Sequence, residues 1–115
     1  MEITRKHVGP RMSQIVCHGD TVYLAGQIAE DLSGDVADQT RQILEKIDRY
    51  LAEAGTHKGK LLSGLIHLAH VGDFKAMNEV WDAWVEEGNT PARTCVGATI
   101  VRPNILVEIT IVAAR

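Results

Sequence analysis

The sequence predicts an α+β fold in which one mixed β-sheet carries two helices packed on one face. Two segments repeat apolar residues at helical spacing, and the other apolar runs are short and end at glycine, proline, asparagine or aspartate. At 115 residues the chain has the length of a single domain. We therefore expect one domain over residues 1–115, with a core of ordinary size.

A β-hairpin and a long helix are expected first. Residues 15–17 and 21–25 are strand-like runs on either side of His18-Gly19-Asp20, which suits a tight turn. After a loop at residues 31–34, Asp35 is placed to cap a helix and Gly55 to end it. The apolar stripe of this helix comprises Val36, Thr40, Ile43, Leu44, Ile47, Leu51 and Ala54.

The rest of the chain is expected to add three strands and a second helix, in the overall order ββαβαββ. Residues 61–71 are predicted to form a strand, and Asp73 is placed to cap a helix that ends at Gly88. Strands at residues 94–100 and 105–113 follow. The apolar stripe of the second helix, which assigns both tryptophans to the core, comprises Phe74, Met77, Val80, Trp81, Trp84 and Val85.

Composition and cysteine spacing exclude several classes of function. A net charge of −3 and an aromatic content of 4 % do not favour a nucleic-acid surface. Cys17 and Cys95 are too far apart in sequence for a zinc ribbon or a disulfide framework, and no run is apolar enough for a signal peptide or a membrane span. We therefore expect a cytoplasmic protein without a membrane partner.

The sequence contains no motif typical of a metal site or of a nucleotide-binding site. His67 and His70 are three residues apart on a predicted strand, so they point to opposite faces and do not chelate one metal ion. The chain has no glycine-rich phosphate loop and no serine-hydrolase elbow. We expect neither a metal site nor a cofactor.

The last two predicted strands carry the candidate site. Pairing them as an antiparallel hairpin sets Gly97 opposite Glu108 and gives one face that is almost wholly apolar. The other face combines Arg93, Cys95 and Glu108 with small and apolar residues. Such a mixed face is typical of a surface covered by another subunit, so we expect a homo-oligomer.

Arg93 and Glu108 suggest a chemical role for this face. A guanidinium binds a carboxylate through two parallel hydrogen bonds, and a nearby carboxylate can orient or deprotonate a water molecule. The alternative is a structural Arg–Glu pair that joins subunits, and the spacing of the two residues does not decide between these interpretations.

Several motifs resemble one family. Pro91-Ala92-Arg93-Thr94-Cys95, followed by Leu106-Val107-Glu108-Ile109, resembles the C-terminal signature of the RidA (YjgF) proteins, also known as L-PSP endoribonucleases. The resemblance runs from about residue 9 to residue 115. It also includes Gly9-Pro10, Ala25-Gly26-Gln27, Gln39-Thr40, Ile43-Leu44 and Asp73-Phe74.

The resemblance implies a homotrimer of the chorismate-mutase-like fold, with a cleft at each subunit interface. Active members hydrolyse 2-imino acids or their enamine tautomers, such as 2-aminoacrylate, to 2-keto acids and ammonia without a cofactor. By this resemblance Arg93 holds the substrate carboxylate, Glu108 positions the attacking water, and Cys95 lines the cleft beside the backbone of Gly26. The substrate-binding residues would then be Ala25, Gly26, Ala92, Arg93 and Cys95.

Departures from the family pattern keep two alternatives open. Arg11 and Met12 stand where many active members have an aromatic residue, residues 88–90 lack another aromatic, and Ala25 replaces a frequent serine. The chain is therefore also considered as a non-catalytic trimer that binds a small carboxylate. An endoribonuclease or translation inhibitor is the third and least favoured reading.

Overall fold

The computed structural model describes all residues 1–115 and contains six strands and two helices. The strands are β1 Ile3–Val8, β2 Ser13–His18, β3 Thr21–Leu24, β4 Leu61–Leu68, β5 Ala92–Gly97 and β6 Val107–Ala114. The helices are α1 Val36–Glu53 and α2 Phe74–Trp84, and short 3-10 turns at Lys58–Lys60 and Val71–Asp73 precede β4 and α2. The predicted α+β class is confirmed. Neither helix combines the length and the apolar content that crossing a bilayer requires.

The predicted first hairpin is confirmed. β2 and β3 pair antiparallel with His18 opposite Thr21, and the turn between them holds Gly19 at φ +59°. Glycine adopts this left-handed conformation without the steric cost that a Cβ atom brings. β1, which the sequence does not predict, pairs antiparallel with β2. Its residues are all exposed, so no alternation of apolar and polar residues marks it as a strand.

α1 begins and ends as predicted. Asp35 Oδ1 accepts a hydrogen bond of 2.9 Å from the backbone N of Asp38, which satisfies one of the free amide groups of the first turn. The chain leaves the helix after Ala54 through Gly55, whose φ is +80°. The buried apolar residues of α1 belong to the main core and comprise Val36, Ile43, Leu44, Ile47 and Leu51.

The second helix begins where predicted, but it ends earlier, and the strand before it is shorter than predicted. β4 stops at Leu68, and a 3-10 turn leads into α2. Asp73 is the N-cap residue of α2, as predicted, but its side chain makes no capping hydrogen bond. The helix ends at Trp84, before the predicted glycine stop. Met77 and Trp81 are buried in the core, as predicted.

The strand order β1-β2-β3-β6-β4-β5 corrects the predicted C-terminal hairpin. β5 and β6 do not pair with each other, because β4 lies between them, parallel to β5 and antiparallel to β6. The connection from β4 to β5 runs through α2, and such a helical crossover returns the chain in the same direction. Gly97 therefore lies opposite Leu68, not opposite Glu108.

The two faces of this sheet differ. The face that meets both helices contains the fully buried side chains of β6, which are Val107, Ile109, Ile111 and Ala113. Burying a large aliphatic side chain contributes about 1.5–3 kcal/mol, so this face dominates the stability of the domain. The opposite face carries no helix and presents partly exposed apolar side chains, among them Tyr23, Leu65 and Val96 at 46 %, 37 % and 39 % exposure.

Candidate active site

Glu108 lies near the start of β6, on the helix-free face of the sheet. Its sequence neighbours Val107 and Ile109 are fully buried on the other face, and its cross-strand neighbour on β4 is His67. The Glu108 side chain is half-buried but makes no hydrogen bond or ion pair within the chain. A carboxylate without a structural partner is available to act on a water molecule or a ligand.

Gly26 stands directly beside the Glu108 carboxylate. The segment after β3 continues along β6, where Gln27 and Ile109 exchange two backbone hydrogen bonds of 2.8 and 3.1 Å. A Cβ atom on Gly26 would collide with Glu108 Oε2 and would lie 3.1 Å from Thr110 Oγ1. The absence of a side chain therefore makes room for the carboxylate. The chain brings together two of the predicted site residues, Gly26 and Glu108.

A cleft of about 590 Å³ opens beside these two residues. This volume is in the range of small-molecule sites. Met12, which stands where an aromatic residue is common in the family, is among the lining residues and is 50 % exposed. Polar side chains that also line the cleft include Gln14, Glu30, Lys46, Tyr50 and Arg102.

A buried glutamine holds the turn that carries Ala25 and Gly26. Gln27 is 2 % exposed, and its Nε2 donates to Ala25 O at 2.9 Å and to Gln14 Oε1 at 2.8 Å. The backbone N of Ala25 donates to Gln14 O at 3.0 Å. Because a buried amide needs its partners, this network fixes the turn beside Glu108. In the sequence, Gln27 belongs to a family motif, but nothing there predicts that it supports the turn. The one signal for this role is that Gln27 is a single polar residue within an apolar segment.

Arg93 belongs to the other half of the predicted site. It lies on β5, an edge strand, where it follows Ala92 and pairs with Gly64 of β4. Its guanidinium carbon is 5.3 Å from the ring centre of Trp81 and 6.0 Å from that of Phe74, both on α2. Stacking on aromatic rings holds a guanidinium without using its hydrogen-bond donors. Arg93 makes no hydrogen bond or ion pair within the chain, so its donors remain free for an anion.

Cys95 lies two residues further along β5, on the same face as Arg93. Its side chain is half-buried against the main core. Burial raises the pKa of the Cys95 thiol, and the positive charge of Arg93 opposes this effect only in part. The thiol therefore stays protonated at neutral pH. A neutral thiol is a weak nucleophile, which fits the expectation that Cys95 is a contact residue.

The register of the sheet overturns the prediction that Arg93, Cys95 and Glu108 share a face. Arg93 aligns with Gly64 and Glu108 with His67, an offset of three residues along β4, so their side chains point to opposite faces. Their backbones are separated by two strand spacings, or about 10 Å, and by about 10 Å along the strands.

Cys95 is also remote from Gly26 within the chain, because β4 and β6 lie between the strand that carries Cys95 and the segment that carries Gly26. One chain therefore holds two half-sites. The first consists of Ala25, Gly26 and Glu108, and the second of Ala92, Arg93 and Cys95.

No group of three or more histidine, cysteine, aspartate or glutamate side chains is arranged to hold a metal ion. The polar chemistry of the two half-sites consists of a carboxylate, a guanidinium and backbone groups. These features define a class of small α+β proteins in which one sheet carries an unpaired carboxylate on one face and an unpaired guanidinium on the other.

Comparison with known proteins identifies the family. The sequence profile of the family described as "Endoribonuclease L-PSP" matches residues 5–115, and the chain belongs to this family. It is 42 % identical over 114 residues to the RutC family protein YoaB of Escherichia coli, an alignment that covers 99 % of each chain.

Two solved structures are closely similar over nearly the full length. One is a protein of Pseudomonas aeruginosa, with a TM-score of 0.97, 48 % identity and coverage of 99 % of each chain. The other is a member of the YjgF protein family from Neisseria meningitidis, with a TM-score of 0.97, 43 % identity and coverage of 100 % of this chain and 96 % of that one. The predicted family and the predicted YjgF-type fold are confirmed.

Proposed function

We propose that this protein hydrolyses reactive 2-imino acids, or their enamine tautomers such as 2-aminoacrylate, to 2-keto acids and ammonia. The sites lie between the subunits of a cytoplasmic homotrimer, and no cofactor takes part. Arg93 and Cys95 come from one subunit, and Glu108 and Gly26 from its neighbour. Membership of the RutC and YjgF family supports the general assignment.

The observation that carries the proposal is a pair of opposite charges that the chain leaves unpaired. Arg93 and Glu108 would be an ordinary structural ion pair if they met within one chain, but they lie on opposite faces. Glu108 borders a cleft, and Arg93 lies on an open sheet edge. A second copy of the chain could bring an Arg93 to this cleft, and a small anionic substrate would fit between the two charges.

The reaction requires one water molecule and a base. Glu108 accepts a proton from water as the water oxygen adds to the imine carbon, which gives a tetrahedral carbinolamine. The nitrogen takes up the proton that Glu108 accepted and a second proton from the hydroxyl group of the carbinolamine. The carbon–nitrogen bond then breaks, and ammonia leaves as the carbonyl forms. Arg93 holds the substrate carboxylate through two charge-assisted hydrogen bonds, which orient the imine carbon. Gly26 lets the Glu108 carboxylate approach the backbone.

A non-catalytic carboxylate-binding trimer is the second candidate. It is favoured by Met12, which lines the cleft where active relatives commonly place an aromatic residue. The description of the family also names an endoribonuclease activity. The net charge of −3 and the few aromatic residues do not favour an RNA surface, so we do not expect the purified protein to cleave generic single-stranded RNA.

The first experiment separates enzyme from binder. Amino-acid oxidases generate 2-imino acids, semicarbazide traps them, and the loss of trapped product measures hydrolysis. Arg93→Ala should abolish both the acceleration and the binding of 2-keto acids measured by calorimetry. Glu108→Gln should largely preserve binding but lower the rate by about a hundredfold or more, because it cannot accept a proton. If the wild-type protein binds 2-keto acids but does not accelerate imine hydrolysis, it is the non-catalytic carboxylate-binding protein instead.

The second experiment tests whether the site is shared. Arg93→Ala and Glu108→Gln subunits are mixed, dissociated and reassembled. If each site takes one residue from each of two neighbours, random mixing in a closed trimer restores both wild-type residues in about a quarter of the sites. Activity should then recover to about a quarter of the wild-type value. If both residues act within one chain, mixing restores nothing, and the shared site is rejected.

A further inference from the structure

A second arginine lines the cleft beside Glu108. Arg102 lies in the loop between β5 and β6, and it borders the same cleft as Gly26 and Glu108. Its side chain is exposed and makes no hydrogen bond or ion pair within the chain. Arg102 therefore has no structural partner within the chain.

The end of the loop that carries Arg102 is anchored by a buried side chain. Gln39 of α1 is 0 % exposed, and its Nε2 donates to Asn104 O at 3.0 Å. Its Oε1 accepts a hydrogen bond of 3.0 Å from the backbone N of Leu106. A buried amide that bonds both sides of the segment fixes where the loop joins β6. Arg102 is thus presented to the cleft from a backbone with a defined position.

Arg102 lies near an ion pair at the same end of the cleft. Lys46 Nζ lies 2.9 Å from Glu30 Oε1, and this hydrogen bond and charge lower the pKa of the Glu30 carboxyl. Arg49 and Arg102 are close enough to lower that pKa further. The Glu30 carboxylate is already paired with Lys46, and Arg102 makes no ion pair with it. The hydrogen-bond donors of Arg102 therefore remain free for another anionic group.

We propose that Arg102 binds a second carboxylate of the substrate, so that the cleft prefers 2-imino and 2-keto dicarboxylic acids to their monocarboxylic counterparts. This inference rests on the proposed function for the first carboxylate, which binds Arg93 of the neighbouring subunit. Arg102 then contacts the distal end of the substrate and determines specificity, whereas Glu108 acts on the imine carbon between the two anchors. A guanidinium suits this task because its planar donors match a carboxylate.

Calorimetry with two stable keto acids tests the inference. 2-Oxoglutarate and 2-oxopentanoate have the same five-carbon chain, but only the first has a distal carboxylate. Wild type should bind 2-oxoglutarate about tenfold more tightly, the effect of one charge-assisted contact in a partly solvated site. Arg102→Gln should abolish this preference and leave the affinity for 2-oxopentanoate within about twofold. Arg49→Gln is the matched control: it removes a nearby positive charge that does not line the cleft, and it should retain most of the preference.

The outcomes separate this inference from the proposed function. If wild type accelerates imine hydrolysis but binds both keto acids equally, the inference fails and the function stands. If wild type prefers 2-oxoglutarate through Arg102 but accelerates no imine hydrolysis, the inference stands and the enzyme assignment fails. If Arg102→Gln weakens both keto acids equally, Arg102 is the general carboxylate anchor and the specificity role is overturned. If Arg49→Gln abolishes the preference as completely as Arg102→Gln, diffuse charge explains it and the direct contact is rejected.

Discussion

The two faces of the sheet differ in how far their side chains are buried within the chain. On the helix-covered face, β6 places fully buried aliphatic side chains against residues of α1 and α2. On the helix-free face, the same strand carries Glu108, Thr110 and Val112, which are only half-buried. One strand therefore alternates between a surface completed within the chain and one that the chain leaves open.

The two faces also differ in where their charged side chains lie. On the covered face, Arg93 lies at the edge of the sheet, where it stacks on the rings of α2. The open face combines the unpaired Glu108 with apolar side chains such as Leu65 and Val96. A monomer rarely keeps such a surface in water, so we expect a second and third copy to cover it.

The largest expected effect comes from placing a charge on the open face. Leu65→Asp puts a carboxylate among the apolar side chains of that face in all three subunits. Burial of an unpaired charge costs several kcal/mol per ion, so the trimer should dissociate to monomers at micromolar concentration. Light scattering measures the mass, and circular dichroism should show that the secondary structure remains. A wild-type protein that is monomeric over the same concentrations would refute the expected assembly.

A smaller effect distinguishes adjacent residues of β6 within the Leu65→Asp background. Ile111→Ala removes a fully buried side chain from the covered face and should lower the free energy of unfolding by about 2–5 kcal/mol. Val112→Ala, on the open face of the dissociated chain, should cost less than about 1 kcal/mol. Urea unfolding at one protein concentration measures both values. Equal losses would show that the two faces are packed alike.

The smallest expected effect concerns the ion pair at the edge of the cleft. The hydrogen bond and charge of Lys46 lower the pKa of Glu30, so the ionised carboxylate stabilises the fold above the unfolded pKa. This contribution is lost as the pH falls through the lower, folded-state pKa. Because the Glu30 side chain is 85 % exposed, Glu30→Gln should cost less than about 1 kcal/mol at pH 7.

The pH dependence distinguishes this ion pair from a general loss of charge. The difference between Glu30→Gln and wild type should vanish below the folded-state pKa, where wild-type Glu30 is protonated. Glu87→Gln changes an exposed glutamate with no partner in the chain and serves as the control. Denaturant unfolding from pH 7 down to acid measures all three proteins. A deficit in Glu30→Gln that persists unchanged in acid would contradict the assignment.

Local signals in the sequence predict most of the elements but not their arrangement. Gly19 marks the first turn and Asp35 marks the start of α1, because each acts through backbone groups a few residues away. The pairing of β5 with β4 depends on where α2 returns the chain, which no local pattern records. Choosing the nearest strand as the partner produced the wrong register for Glu108 and therefore the wrong face for Arg93.

In the candidate site, too, the sequence predicts the residues better than their arrangement. Arg93, Cys95, Gly26 and Glu108 are found from residue type and family resemblance, and the contact between Gly26 and Glu108 agrees with their selection. The buried amides of Gln27 and Gln39 are missed as supporting residues. Gln27 binds the side chain of Gln14 on another strand, and Gln39 binds the backbone of Asn104 in a distant loop, so no local pattern marks either role. A sequence pattern identifies which side chains carry chemistry more readily than which side chains hold them in position.

The central position of β6 also affects how the domain is made. β3 and β4 lie on either side of this strand, although both are synthesised well before it. Until residues 107–114 leave the ribosome, the sheet has a gap and the buried faces of both halves lack a neighbour. Long-range pairings of this kind slow folding and leave apolar surface exposed in the meantime. The strand that carries Glu108 therefore also closes the sheet, so the cleft beside Glu108 cannot form before the rest of the domain is assembled.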